Sequence, residues 1–399
     1  MKSLLRAAGP GLITAALVFG PGSLTISTKL GAGFGYQLLW LLPVAVFFMI
    51  VFTRMSARIG MVSGMAALQV IRQRYGSGSA WLVATGIFLT TASFQSGNAI
   101  GAGLAVSELT GTGTGIWVMV FSALAIALLF FRSFYVVLEK IMMAMVAVMV
   151  LSFLLTLIVV APGVGPLLKG FIPSIPQGSA LLSIALTASS FSVAGAFFQS
   201  YLVREKGLRA VDSGQGLRES TAGILVLGLI SLMVMAAAAA VLNAQGLEVR
   251  SGADMGKALE PLFGRGALKV FMAGFFAASF SSLIGNATLG GTILADALGL
   301  GRDLRSLPVR LLIMGIVIAG AVTALLFGQL RLQLIVMAQG LTVLIAPLIA
   351  WYLYKIATDR HVMGIQASGR AEAFTSRVAV LILTGMAFAW LWLMFRGAS

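Results

Sequence analysis

The residues with the most chemical potential lie near the start, in the stretch VFGPGSLTISTKLGAGFGYQLLW over residues 18–40. Gly20, Pro21, Gly22 and Ser23 interrupt an otherwise apolar helical run. Proline removes a backbone donor and clashes with the preceding turn, and flanking glycines weaken the helix further. A helix broken inside a membrane leaves carbonyl and N–H groups unpaired, which is tolerated only where the backbone lines a cavity or is buried in protein. The break therefore predicts a position where a small solute binds, walled by Gly20, Pro21, Gly22 and Ser23. Farther along, Lys29 is an ionisable group inside a span, a functional position by default. Two readings stay open for it. Its stem carries the ammonium to the outer interface, or it faces an outer vestibule. In the second reading the access path is mildly electropositive and suits an anion or a neutral polar solute better than a cation.

A second polar cluster, Ser189, Ser190, Ser192, Ala194 and Gly195, falls midway along SIALTASSFSVAGAFFQSYLV, residues 183–203. Small residues in a membrane helix commonly serve close packing; the alternative is a second interruption. Position favours the interruption, because this is the sixth apolar run and the first is also broken. Interrupted helices at corresponding places in two halves mark the site of transporters built from inverted repeats. Ser189 and Ser192 would form the wall opposite Ser23.

What the chain lacks narrows the chemistry. It has no cysteine, one histidine (His361) and twelve acids, so disulfides, thiol catalysis and thiolate metal sites are excluded. The acids fall at helix ends or in linkers. The nearest to membrane depth are Glu108, at the outer end of the third run, and Asp296, at the inner end of the eighth; both read as interfacial. His361 reads as solvated. The methionines read as apolar filler, Met337 among them, although Gln339 beside it is a polar candidate from the tenth run. No nucleophile–base pair and no phosphate-binding loop is present. Neither an enzyme, nor a cofactor, nor ATP-driven transport is expected.

These residues need elements to hold them. Of 399 residues 59% are hydrophobic and 10% charged, against about a quarter charged in a soluble domain, so lipid must be the solvent. Apolar runs of about 20 residues, enough to cross a bilayer, fall at 10–33, 37–60, 80–107, 115–131, 136–161, 180–203, 221–243, 267–294, 308–328, 332–356 and 377–396. The expectation is an all-α integral membrane protein of about eleven spans, with no cleaved signal. All six tryptophans fall near run ends, as an aromatic belt requires. Nineteen of the 27 basic residues then lie on one side, which places the N-terminus in the cytoplasm and the C-terminus outside. The net charge of +15 reads as topology and not as nucleic-acid binding. Residues 65–76 read as a short amphipathic helix on the cytoplasmic surface. Short loops throughout suggest a multi-pass protein of a bacterial inner (cytoplasmic) membrane.

The chain resembles the Nramp family of divalent-metal transporters over nearly its whole length. GPGS is followed by GAGFGY where that family has DPGN and GAxFGY. FYVVLEK resembles the start of its fifth helix, GFIPSIPQGSALL the approach to its sixth, and FAASFSSLIGNATLGG its eighth. The resemblance implies a LeuT-type fold of two inverted repeats of five helices, residues 1–161 and 162–356, with a cytoplasmic linker and an eleventh helix over 357–399. It further implies that metal-site positions of the family fall on Gly20, Ser23, Ser189 and Ser192, with Val193 and Ala194 in place of a Pro and a His. Proton-path positions fall on Gln95, Asn98 and Gln199.

At each of these positions the residue present is uncharged. Transition metals favour carboxylate, imidazole or thioether ligands, and a dehydrated dication in low dielectric needs compensating charge. No metal ligand set is therefore assigned, and neither tight transition-metal binding nor proton coupling is expected. Gln95, Asn98 and Gln199 should form a neutral hydrogen-bonding network. The expectation is a secondary transporter moving a small solute or ion by alternating access in the lipid bilayer, with divalent metal as the cargo implied by resemblance. The alternatives are an anion or neutral polar solute, or a non-transporting homologue acting as sensor or scaffold.

Overall fold

The computed structural model describes residues 20–190, 192–209, 213–328 and 331–395. Lys2, Arg6, the upstream half of the first expected span, Phe191, Asp212 and Arg396 lie outside the described residues. Among those described, every regular element is helical. The first half comprises α1 (Pro21–Phe34), α2 (Leu41–Ser63), a short α3 (Ala67–Tyr75), α4 (Ser77–Thr110), α5 (Thr114–Leu128) and α6 (Arg132–Val160). The sixth run is divided into α7 (Ala180–Ser190) and α8 (Val193–Glu205). After α9 (Ser213–Val241), α10 (Ala267–Ala297) and α11 (Leu307–Leu326), the tenth run is divided into α12 (Arg331–Leu341) and α13 (Ala346–Thr358). The last helix is α14 (Arg370–Phe395).

Each of the eleven expected runs, the first of them from Gly20 onward, coincides with one of these helices or pairs. Seven stretches are long and apolar enough to cross a bilayer unaided, and eight if the bent α12–α13 pair is one span. The other three fall short for visible reasons. α1 is described only from Gly20, α4 is diluted by Gln95, Ser96 and Asn98, and α5 has 15 residues.

Two expectations are corrected. The tenth run is not one helix: its halves meet at 41°, across a 3₁₀ turn at Thr342–Leu344, and Pro347 opens the second half. A proline's missing N–H costs nothing in the first turn of a new helix but removes a bond inside a continuous one. The helix within 65–76 forms as α3, yet it does not lie with its apolar face on lipid. Ala67, Leu68, Val70 and Ile71 are buried against α4 and α10.

The spans pack in reciprocal pairs. α4 lies along α10 in the most extensive contact of the chain, third span on eighth. First packs on seventh (α1 on α9) as sixth packs on second (α8 on α2), and eighth on fifth (α10 on α6) as third on tenth (α4 on α12). Each contact maps onto its mate by a shift of five spans, as two inverted repeats produce.

Candidate functional site

The site is built around the start of α1. Gly20 is extended (φ −124°, ψ −172°), Pro21 occupies the first helical turn, and no side chain caps the helix. Helix geometry leaves its first N–H groups without intrahelical acceptors; with proline at the first position, those of Gly22 and Ser23 are the donors. Three other helices close on this end. A Cβ on Gly101 of α4 would stand 2.7 Å from the Pro21 Cβ. One on Gly20 would stand 3.0 Å from Ser282 Oγ of α10 and 3.3 Å from Asn98 Oδ1 of α4. One on Gly22 would overlap the side-chain amide of Gln339 from α12. The glycines of GPGS thus admit neighbouring side chains to the backbone. Ser23 is buried.

A neutral network runs behind this end. Asn98 Nδ2 donates to Gln95 Oε1 at 3.1 Å, and Gln95 Nε2 donates to the Leu283 carbonyl of α10. Gln95 and Asn98 are three residues apart on one helix face, which is what lets them pair, and both are buried. Gln199 is fully buried on α8.

The second cluster lies where α7 gives way to α8. Ser189 turns back along its own helix, donating to Leu186 O at 3.0 Å. Ser192 caps α8: its Oγ accepts from the Gly195 N–H at 3.3 Å. The interruption is a local one, since Ala180–Glu205 still passes as one crossing. A narrow crevice opens beside it, lined by Thr90 and Phe94 of α4, Ala188, Ser192 and Ala194, and Thr342 from the broken tenth span. Its interior of ≈ 10 Å³ is about the room of one water. Thr342 Oγ1 donates to Gln339 O at 2.6 Å. The hydroxyls of Thr90 and Ser190 are buried with no hydrogen-bond partner among the described residues.

The structure therefore brings the named positions into two adjoining groups. Gly20, Gly22, Asn98, Gln95 and Gln339 gather at the start of α1, whereas Ser192 meets Thr90 and Thr342 at the crevice. The two groups share one stripe of α4, because Thr90, Phe94, Asn98 and Gly101 recur at helical spacing. Lys29 stands apart, half-buried on α1, with Glu248, in the loop between α9 and α10, as the acid that acts on it. Sequence reasoning missed Ser282, Thr90 and Thr342. Pro347, inside an apolar run, was the available signal for the last of these. Asp296, expected at an interface, is instead buried: its carboxylate accepts from Tyr201 Oη at 2.7 Å and Gln69 Nε2 at 3.2 Å.

Chemically, the two groups together offer hydroxyls, carboxamides and backbone ends. Among the described residues no three His, Cys, Asp or Glu side chains gather where they would hold a metal ion. Such a lining hydrogen-bonds a solute or the water around an ion. It supplies no charge to strip that water away.

Comparison with known proteins gives a consistent picture. The profile of the Natural resistance-associated macrophage protein-like family, Nramp, matches residues 11–393. "Divalent metal cation transporter MntH 1" of Pseudomonas aeruginosa is 28% identical over 387 residues, covering 91% of this chain and 86% of the relative. The Xanthomonas campestris "Divalent metal cation transporter MntH" is 26% identical over 405 residues, 98% of this chain and 90% of the relative. Among solved structures, the Eremococcus coleocola manganese transporter superposes with a TM-score of 0.79 at 18% identity, over 99% of this chain and 88% of that one. MhsT, solved with L-phenylalanine, gives 0.61 at 14% identity over 94% and 98%. At those identities the likeness speaks for the fold: the architecture is of the LeuT type.

Proposed function

Because the chain belongs to the Nramp family, a family of membrane transporters, we propose that it is a secondary-type transporter carrying a small solute across the bilayer by alternating access. The observation that carries this reading is the meeting of the start of α1 at 20–21, the start of α8 at Ser192 and the break at 342–345 on one stripe of α4. Rocking of one helix group against the other around such a point exposes it to each side in turn. The reciprocal packing supports dividing the chain into repeats at 1–161 and 162–356, followed by a linker and eleventh helix at 357–399. The charge bias supports a cytoplasmic N-terminus and an external C-terminus in a bacterial inner membrane.

The named relatives are divalent metal cation transporters, and a divalent cation is the cargo class we carry over. Here the ion would be held through its own waters, hydroxyls, carboxamides and backbone oxygens. Without a carboxylate, imidazole or thioether at the assigned positions, binding is weak and Mn²⁺ has little advantage over Mg²⁺. Gln95, Asn98 and Gln199 do not titrate, so transport is uncoupled from protons. A second reading, an uncharged polar or anionic solute, is favoured by the same neutral lining and by Lys29 on the outer half of α1.

The test is uptake of Mn²⁺ into proteoliposomes, read by an internal metal-quenched dye, with Mg²⁺ in parallel. Saturable flux of both ions, unchanged by acidification, is the expected outcome. Silence for both from a stable protein overturns the divalent-cation reading. Anions and polar solutes are then assayed, with Lys29→Ala as the companion variant, and silence there too leaves a non-transporting sensor or scaffold. An uptake that rises steeply in acid, and loses that rise in Gln95→Ala, overturns the uncoupled mechanism.

A further inference from the structure

The connection between the fifth and sixth spans, residues 161–179, is unusually poor in charge for a segment outside the spans. Lys169 is the one charged residue between Lys140 and Arg204. The structure gives this connection two sides. One side docks on the α1–α2 turn. The Trp40 N–H donates to Gly170 O and Trp40 Nε1 to Ser174 O, each at 3.0 Å, while Ser174 Oγ donates to Gln37 O at 3.2 Å. Leu167 and Phe171 belong to the same apolar cluster as Tyr36 and Trp40. The other side turns Val164, Leu168, Ile172 and Ile175 outward, with 70%, 60%, 63% and 66% of their surfaces exposed.

Exposure at that level would be costly in water for four neighbouring aliphatic side chains. In the chain they follow directly on α6, whose last turns expose Leu151, Leu155 and Ile158, apolar side chains that a fifth span presents to lipid. Four prolines, Pro162, Pro166, Pro173 and Pro176, each remove a backbone N–H that would otherwise need a partner where water is scarce. Lys169 is exposed within the stretch, and a lysine stem is long enough to carry its ammonium from apolar surroundings to headgroup phosphates.

We propose that residues 164–175 form a bar embedded in the bilayer interface. The four aliphatic side chains enter the acyl boundary, Lys169 meets the headgroups, and the docked side braces the α1–α2 turn. The occupant of this edge is the leaflet itself. A second copy of the chain fits less well, because the edge follows in the chain on a span that presents its own exposed side chains to lipid.

Since the chain has no cysteine, Ile172→Cys and Ile175→Cys each give a unique site for a nitroxide spin label in liposomes. Ile158→Cys serves as the span reference and Gln177→Cys as the polar reference, Gln177 being exposed. The expected result is strong collision with oxygen and weak collision with aqueous nickel chelate at 172 and 175, at a depth of ~5–10 Å below the headgroups. Nickel accessibility equal to that at 177 places the edge in water and overturns the proposal. Spin–spin broadening that disappears on dilution with unlabelled protein assigns the edge to a second copy and overturns it as well. The readout needs no transport, so it stands or falls apart from the alternating-access reading.

Discussion

At the scale of residues, the start of α1 is defined by side chains too small to fill it, so that its neighbours reach the backbone. An aspartate at Gly20 would crowd Ser282 Oγ and Asn98 Oδ1, which stand 3.0 and 3.3 Å from a Cβ there. Gly20→Asp must displace both and then bury a carboxylate among neutral groups. Overpacking alone costs about 1–3 kcal/mol, and an unpaired buried charge adds to it. The variant should unfold at lower temperature in detergent, with no recovery in Mn²⁺; a variant as stable as the parent that gains Mn²⁺-dependent stabilisation would refute this account. That a helix begins at Pro21 was legible, since proline is tolerated in the first turn and not inside a helix. Ser282, Thr90 and Thr342 were not. Ser and Thr bond equally well to their own helix in a membrane span, and only tertiary contact tells which of them faces a site.

At the scale of elements, α3 and α13 show where pattern runs out. Ala67, Leu68, Val70 and Ile71 give α3 an apolar face, but amphipathicity cannot say whether lipid or protein will cover it. Polar contacts settle it here. Gln69 reaches Asp296, Arg72 donates to the carbonyls of Asp296 and Ala297 at 3.1 and 2.5 Å, and the Ala67 N–H donates to Ser200 Oγ at 3.0 Å. The guanidinium meets α10 at its C-terminal end, where free carbonyls and the helix dipole favour a cation. With Tyr201 of α8 on the other carboxylate oxygen, Asp296 ties three elements together on the end of the bundle assigned to the cytoplasm. Asp296→Ala leaves the donors of Tyr201 and Gln69 unpaired, at about 1–3 kcal/mol each if they remain buried. The clamp should then open more often. Leu68→Cys, in a chain without native cysteines, should react faster with an aqueous thiol reagent when combined with Asp296→Ala; equal rates would remove Asp296 from that role. The break in the tenth span was harder to read, because its apolar run is continuous and Pro347 alone marks the start of the second half.

At the scale of the whole molecule, the ion pairs among the described residues keep to the helix ends and loops. Arg58–Glu372 at 2.8 Å, Arg74–Asp359 at 2.7 Å, Arg250–Glu248 at 2.7 Å and Lys257–Asp254 at 3.0 Å join loops or helix termini. The pairing of spans, legible as a five-span shift once the sixth run was seen to match the first, is made by small residues at close range. A Cβ on Gly31 of α1 would stand 2.8 Å from Ala238 Cβ of α9, and one on Gly60 of α2 2.6 Å from Ser200 O of α8. Between the rims, then, little about stability should depend on pH, and the dependence belongs to rim carboxylates. Burial pushes Asp254 upward, but hydrogen bonds from Lys257, the Ser251 hydroxyl and the N–H groups of Arg250 and Ser251 outweigh it and hold the carboxyl below its ordinary value. Asp359 is likewise lowered, its slight burial outweighed by Arg74 and the His361 N–H. A carboxylate lowered by folding stabilises the folded state above its unfolded pKa, about 3.9 for aspartate, and that stabilisation is lost as pH falls through the lowered folded value. Thermal stability in detergent should therefore be flat from neutrality down to about pH 5 and decline below about pH 4. Asp254→Asn should remove part of that acid decline while lowering the neutral plateau. A transition centred near pH 6 to 7 that persists in His361→Gln would instead place the dependence inside the bundle, and would undo its assignment to rim carboxylates.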